Sequence, residues 1–198
     1  MLTIGLTGSI GMGKSTTAEI FAKNGVAICD SDKIVHSLYQ NEAVPLIDQA
    51  FPGTVIDGKI SREHLADYLQ KNPAGFRVLE ALIHPLVHQK QAEFVDQSKQ
   101  AGFDFALLDI PLLFETGAEK RVDVTVVVSA DALIQRERVM ARPGMTREKF
   151  EMIIDRQMPD YEKRVRADFV IDSSKDLENV ESQVLNILSK LKDRQKQA

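Results

Sequence analysis

Apolar and β-branched residues gather along the chain in five short runs bounded by turn formers: LTIGLT from Leu2, VAIC from Val26, FALLDI from Phe105, VTVVVS from Val124 and DFVI from Asp168. Near-continuous apolar runs, as opposed to alternating ones, belong to strands buried on both faces. The pattern therefore predicts a parallel sheet covered by helices on both sides.

Between the first two runs, KSTTAEIFAKNG places Ala18, Phe21 and Ala22 on one helical face and ends with Gly25, a residue suited to the left-handed turn that closes a helix. This predicts a strand-helix-strand unit. From Ser31 to Gly102 no comparable run occurs, and a stretch of about 70 residues is too long for a bare loop in a compact domain, so an inserted helical region is expected. Its start signals are Ser61 before REHLADYLQ, Asn72 and Pro73 before AGFRVLEALI, and Pro85 before LVHQKQAEFVDQSKQ. A second helical segment is expected between the fourth and fifth strands, and Val180, Val184, Ile187, Leu188 and Leu191 form the stripe of a last helix.

Composition changes this picture little. At 198 residues, with 43% hydrophobic and 27% charged residues, the chain reads as one folded domain. No run approaches the ~18 to 20 apolar residues of a membrane span, and Met1 leads straight into a strand without a signal-peptide pattern, so a cytoplasmic protein is expected. The net charge of −4 argues against a nucleic-acid partner held by bulk charge, and the lone Cys29, in an apolar run, reads as a buried thiol.

Candidate chemistry begins at GSIGMGKS, Gly8 to Ser15, which fits G-x-x-x-x-G-K-[ST] between an apolar strand and a helix. Backbone N–H groups can converge on phosphate oxygens only where the chain bends sharply and nothing protrudes, which is a reason for Gly8, Gly11 and Gly13. The helix start adds its positive dipole end, Lys14 a mobile charge, Ser15 a hydroxyl for Mg²⁺, and Thr16 a further donor. A nucleoside triphosphate site follows. A guanine-reading N-K-x-D is missing; SSKD at 173–176 has the wrong spacing.

Phosphoryl transfer also needs a carboxylate to orient the attacking hydroxyl. Asp30 and Asp32, after the second strand, are candidates, with helix capping as the ordinary use of either. Asp109, ending the third strand, is placed to hold Mg²⁺ through its bound water, and Glu115 reads as a weaker candidate or a helix-start residue. Residues 133–166 hold nine Lys or Arg against six Asp or Glu, as a basic flap closing over phosphates would, with Arg138 and Arg142 on one face. Glu80, His84 and His88 share helical spacing, but Pro85 is expected to break the helix between them, which argues against a metal there.

The phosphate loop, DSDKIVH, DGKISREHL, LEALIHPLV, DIPLLFETG, RVMAR and QMPDYEKRVRADFVID, in this order, resemble the dephospho-coenzyme A kinase family of phosphate-loop kinases from about residue 3 to 175. The resemblance implies an α/β P-loop NTPase fold: a five-stranded parallel sheet flanked by helices, with a helical acceptor-binding insertion and a lid. It implies a core over 1–30, 103–130 and 167–198, an insertion over 31–102 and a lid over 131–166. It implies ATP-dependent, Mg²⁺-assisted phosphorylation of the ribose 3′-hydroxyl of dephospho-coenzyme A. ATP would lie on Gly11, Met12, Gly13, Lys14, Ser15 and Thr16, with Asp32 as base and Lys14, Arg138 and Arg142 as transition-state cations. Arg62, His84 and Pro85 would serve the acceptor, Ser15 and Asp109 the metal. A kinase for another small hydroxyl acceptor, of nucleoside, shikimate or gluconate type, and a nucleotide-regulated binding protein stay open from the residues alone.

Overall fold

In a computed structural model, which describes residues 1–197 and the side chains of 1–196, the chain forms two compact units: Met1–Cys29 together with the chain from Gln97 onward, and Asp30–Asp96. The first is built on five strands, β1 (Leu2–Thr7), β2 (Ala27–Asp30), β5 (Phe105–Asp109), β6 (Val124–Ser129) and β7 (Phe169–Asp172), in the order β2-β5-β1-β6-β7. All five apolar runs are strands, and β1 pairs in parallel with β5 and β6, as β6 does with β7.

Helices α1 (Lys14–Lys23) and α9 (Leu177–Gln197) join the sheet in one apolar core. Phe21 of α1, Ile4, Leu6, Leu107 and Val126 of the sheet, and Val184 and Leu191 of α9 are almost wholly buried in it. Each such side chain contributes on the order of 2 kcal/mol by leaving water. The helical segment between β6 and β7 is α6 (Ala132–Met140), α7 (Arg147–Asp155) and α8 (Asp160–Arg166). Asp131 and Thr146 cap α6 and α7 by accepting the N–H groups of Leu133 and Lys149.

The second unit is helical, as expected, around a separate core of Leu38, Ile47, Phe51, Ile60, Leu65, Leu69, Ile83 and Val87. Its elements are α2 (Ser31–Leu38), α3 (Val44–Ala50), α4 (Arg62–Lys71), capped by Ser61, and the start of α5 (Gly75–Gln100). The sequence reading missed a two-stranded hairpin, β3 (Val55–Ile56) with β4 (Lys59–Ile60). Its turn is Asp57-Gly58, with φ of 49° and 72°, the Asp-Gly pair that a two-residue hairpin loop favours.

The expected helix break at Pro85 is overturned. Helix α5 runs unbroken from Gly75 to Gln100 with Pro85 inside it. An interior proline costs about 3 kcal/mol, which local rules alone do not offset. Ile83 and Val87, on either side of it, are 6% and 9% exposed in the second core, and their burial holds the helix through the proline. Among the described residues, no helix is long and apolar enough to cross a membrane.

Candidate active site

Sheet register brings the first unit's site together. Leu6 of β1 lies opposite Asp109 of β5, and Ile110 donates its N–H to Leu6 O at 2.9 Å, so the last residue of β5 stands beside the strand end from which the glycine loop departs. Thr7 reinforces this edge by donating its hydroxyl to Pro111 O at 3.0 Å. From the other end of the loop, Lys14, the first residue of α1, pairs its ammonium with the Asp109 carboxylate. Both groups are largely buried, with side chains 16% and 9% exposed.

Gly11 and Gly13 have φ of 80° and 84°, the left-handed region that other residues enter at a cost of roughly 1–2 kcal/mol. Gly13 is the N-cap of α1 and has no side chain to occupy the first-turn N–H groups. Those of Lys14, Ser15 and Thr16 have no partner within the helix, and with the dipole they make an anion site. Thr17 already donates to Gly13 O at 3.1 Å.

The glycines have a second reason that the sequence did not disclose. A Cβ on Gly8 would lie 2.6 Å from Val128 O, and one on Gly11 would lie 2.5 Å from a Val139 methyl and 2.9 Å from Gln135 O. They make room for β6 and α6 as well as for phosphates. Met12, expected on the ATP, is turned inward: its N–H donates to Ser9 O, its sulfur accepts the Ala130 N–H at 3.0 Å, and its carbonyl accepts the Ser173 hydroxyl at 2.7 Å.

Beside the loop lies a cavity of about 280 Å³, lined by Gly11, Gly13, Thr16, Thr17, Arg138, Arg142, Ser173, Lys175, Leu177 and Val180. Three cations and no carboxylate face it, while Leu177 and Val180 give it an apolar side. Arg138 is braced there, donating to Ser173 Oγ at 3.1 Å and to Ser173 O at 2.7 Å. The sequence pattern assigns no site role to Lys175, Leu177 or Val180, the last of which it places only in the apolar stripe of the final helix, nor to Ser173. The available signal was position: this segment leaves the carboxyl end of a parallel strand, where such sheets place their ligands.

Glu115 is not a helix-start residue. It lies in a turn, where Oε1 accepts the Met158 N–H at 2.8 Å and stands 2.9 Å from the ammonium of the fully buried Lys163.

In the second unit, the cap of α2 is Asp30, whose carboxylate accepts the N–H groups of Asp32 and Lys33 at 2.9 and 3.1 Å. Asp32 is exposed in the first turn and is not the cap. Arg62, the first residue of α4, places its guanidinium 5.8 Å from the centre of the Tyr39 ring. Burial pushes the Tyr39 hydroxyl above its ordinary value, opposed by the Arg62 charge. His84 and His88 lie one turn apart on α5 with rings stacked at 6.0 Å, and Pro85 follows His84 in the same helix.

No cluster of three or more His, Cys, Asp or Glu able to hold a metal occurs among the described residues. The Ser15 hydroxyl and the Asp109 carboxylate are both hard oxygen donors, and so few protein ligands suit Mg²⁺, which keeps waters and takes most of its coordination from substrate phosphates.

Comparison with known proteins bears on the family and the fold. The family model described as "Dephospho-CoA kinase" matches residues 2–179. The chain is 62% identical over 191 residues to a dephospho-CoA kinase of Agrobacterium fabrum, covering 96% of this chain and 98% of that one. Among solved structures, TT1252 from Thermus thermophilus is 34% identical with a TM-score of 0.83, over 96% of this chain and 97% of that one. A dephospho-CoA kinase from Campylobacter jejuni is 25% identical with a TM-score of 0.72, over 96% of each chain. With the phosphate loop, the parallel order of the sheet and a match that spans nearly the whole sequence, this chain belongs to the dephospho-CoA kinase family.

Proposed function

We propose that the protein transfers the γ-phosphoryl group of ATP to the ribose 3′-hydroxyl of dephospho-coenzyme A, forming coenzyme A and ADP. The observation that carries this reading is the phosphate loop of a dephospho-CoA kinase family member, open at the first turn of α1 with Lys14 at its head. The first-turn N–H groups and Lys14 hold the triphosphate, and the nucleoside enters the adjoining cavity, whose cations suit a polyanion.

In a loose phosphoryl-transfer transition state charge spreads over the transferred oxygens, so fixed cations do most of the work. Lys14, Arg142 and the braced Arg138 fill this role. Asp109 aims Lys14, and Ser15 with Asp109 would hold Mg²⁺, which when bound neutralises charge on the phosphate oxygens. Asp32 orients the attacking hydroxyl and accepts its proton; with Asp30 serving as cap, its carboxylate is spared for that task. Arg62, His84 and Pro85 bind the acceptor.

Purified protein with ATP and Mg²⁺ should release ADP only when dephospho-coenzyme A is added, with coenzyme A formed in equal amount. ADP release that is indifferent to dephospho-coenzyme A, or that follows a nucleoside, shikimate or gluconate instead, would overturn the assignment.

A further inference from the structure

Two glutamines of the segment between β6 and β7 grip one residue of the phosphate loop through both of its peptide groups. Gln135, on α6, donates its side-chain N–H to Ile10 O at 2.8 Å. Gln157, just beyond α7, accepts the Ile10 N–H through Oε1 at 3.1 Å. The two amides are used in opposite senses, one as donor and one as acceptor, as a peptide unit requires of a clamp on both sides. Gln135 is only 7% exposed, and a buried amide is unfavourable unless its hydrogen bonds are made.

The clamp has a firm base. Met158, next to Gln157, is held through its N–H by Glu115, whose same oxygen lies 2.9 Å from the ammonium of fully buried Lys163 on α8. Asp160, at the start of α8, accepts the Ser129 hydroxyl at 2.6 Å and ties that helix to the end of β6. On the other side, a Cβ at Gly11 would strike Gln135 O and Val139, so the loop is already seated on α6 at the residue after Ile10.

These contacts act on a glycine-rich segment. Gly11 and Gly13 take φ of 80° and 84° in the bend before α1, and glycine loses more freedom on ordering than any other residue. Fixing the Ile10 peptide before the ligand arrives removes that cost from binding. We propose that Gln135 and Gln157 are positioning residues that preset the phosphate loop for the triphosphate, an inference that rests on reading this loop as the ATP site.

The test is ATP binding by calorimetry on the full-length protein, with the KM for dephospho-coenzyme A measured in parallel and a thermal melt for each variant. Gln157→Met keeps length and replaces the amide oxygen by a thioether sulfur, a much weaker acceptor; ATP affinity should fall about tenfold, as for a half-buried donor left poorly paired, while the acceptor KM holds. A second pair controls for charge and for folding. Gln157→Glu retains an acceptor for Ile10 N–H, whereas Gln135→Glu sets a carboxylate against Ile10 O, so ATP affinity should be at least about fivefold lower in Gln135→Glu.

Unchanged ATP affinity in Gln157→Met, equal affinities in the two glutamate variants, or parallel loss of ATP and acceptor binding overturns the clamp. A folded Lys14→Ala protein provides the reference. If it too binds ATP normally, the loop is not the triphosphate site and the underlying reading falls; if it binds weakly while Gln157→Met binds normally, only the clamp falls.

Discussion

Lys14, at the first position of α1, and Asp109, at the last position of β5, form an ion pair across 95 residues of sequence, with both side chains largely withdrawn from water. The pair exists because Leu6 and Asp109 are opposite one another in the sheet, which sets the carboxylate beside the turn that delivers the lysine. The carboxylate balances the lysine charge in this structure, and on the proposed reading it also keeps the lysine aimed at the triphosphate. Lys14→Ala should therefore have two effects. Turnover should fall by at least ~10²-fold from loss of phosphate neutralisation. Stability should fall by about 3 kcal/mol, because one member of a largely buried ion pair is removed. Coupled ADP assay and denaturant titration measure the two, and normal values of both would refute the role given to the pair.

Gly11 and Gly25 share a φ of 80° but have different surroundings. A Cβ at Gly11 would meet Val139 and Gln135, whereas at Gly25 it would meet nothing within 4 Å. Gly25→Ala should cost only the backbone strain, about 1 kcal/mol, with activity kept. Gly11→Ala should cost a further 1–3 kcal/mol or so from overpacking and should disable ATP binding. Equal destabilisation by the two would show that the close approach at Gly11 carries no energy.

The adjacent acids Asp30 and Asp32 should separate by assay. Asp30→Ala removes the cap of α2 and should lower stability by about 1 kcal/mol. Asp32→Asn should leave the melting temperature nearly unaltered and lower turnover by roughly 10² to 10⁴-fold, the usual worth of a placed general base. An active Asp32→Asn enzyme would eliminate Asp32 as the base.

Acid sensitivity should show at the end of β7. The Ser174 backbone N–H, 2.8 Å from Asp172 Oδ1, holds this carboxyl below its ordinary 3.8. A depressed folded-state value means that Asp172 contributes stability above the unfolded-state value and that the contribution is lost as pH falls below it. Exposure keeps the effect small. The melting-temperature gap between wild type and Asp172→Asn should shrink between about pH 7 and about pH 3.5. A gap independent of pH would contradict this.

What the sequence by itself determined was whatever short-range rules govern. The five strand runs, the Gly25 closure of α1, the Ser61 cap and the loop from Gly8 to Ser15 each depend on neighbours a few residues apart, so spacing and side-chain type sufficed. The Asp57-Gly58 hairpin was legible by the same rules. Tertiary structure decided the rest, because the deciding contacts join residues far apart in sequence. Burial of Ile83 and Val87 in a core shared with Leu38 and Phe51 carries α5 through Pro85, against the local preference. The clearance at Gly8 and Gly11 is set by Val128 and Val139, more than a hundred residues away, and Ser173 reaches the loop only because β7 pairs with β6 beside β1. Strand register is a global property of the sheet: one residue of slip would turn Asp109 to the other face, and no local pattern around Lys14 encodes which residue β1 will find opposite it.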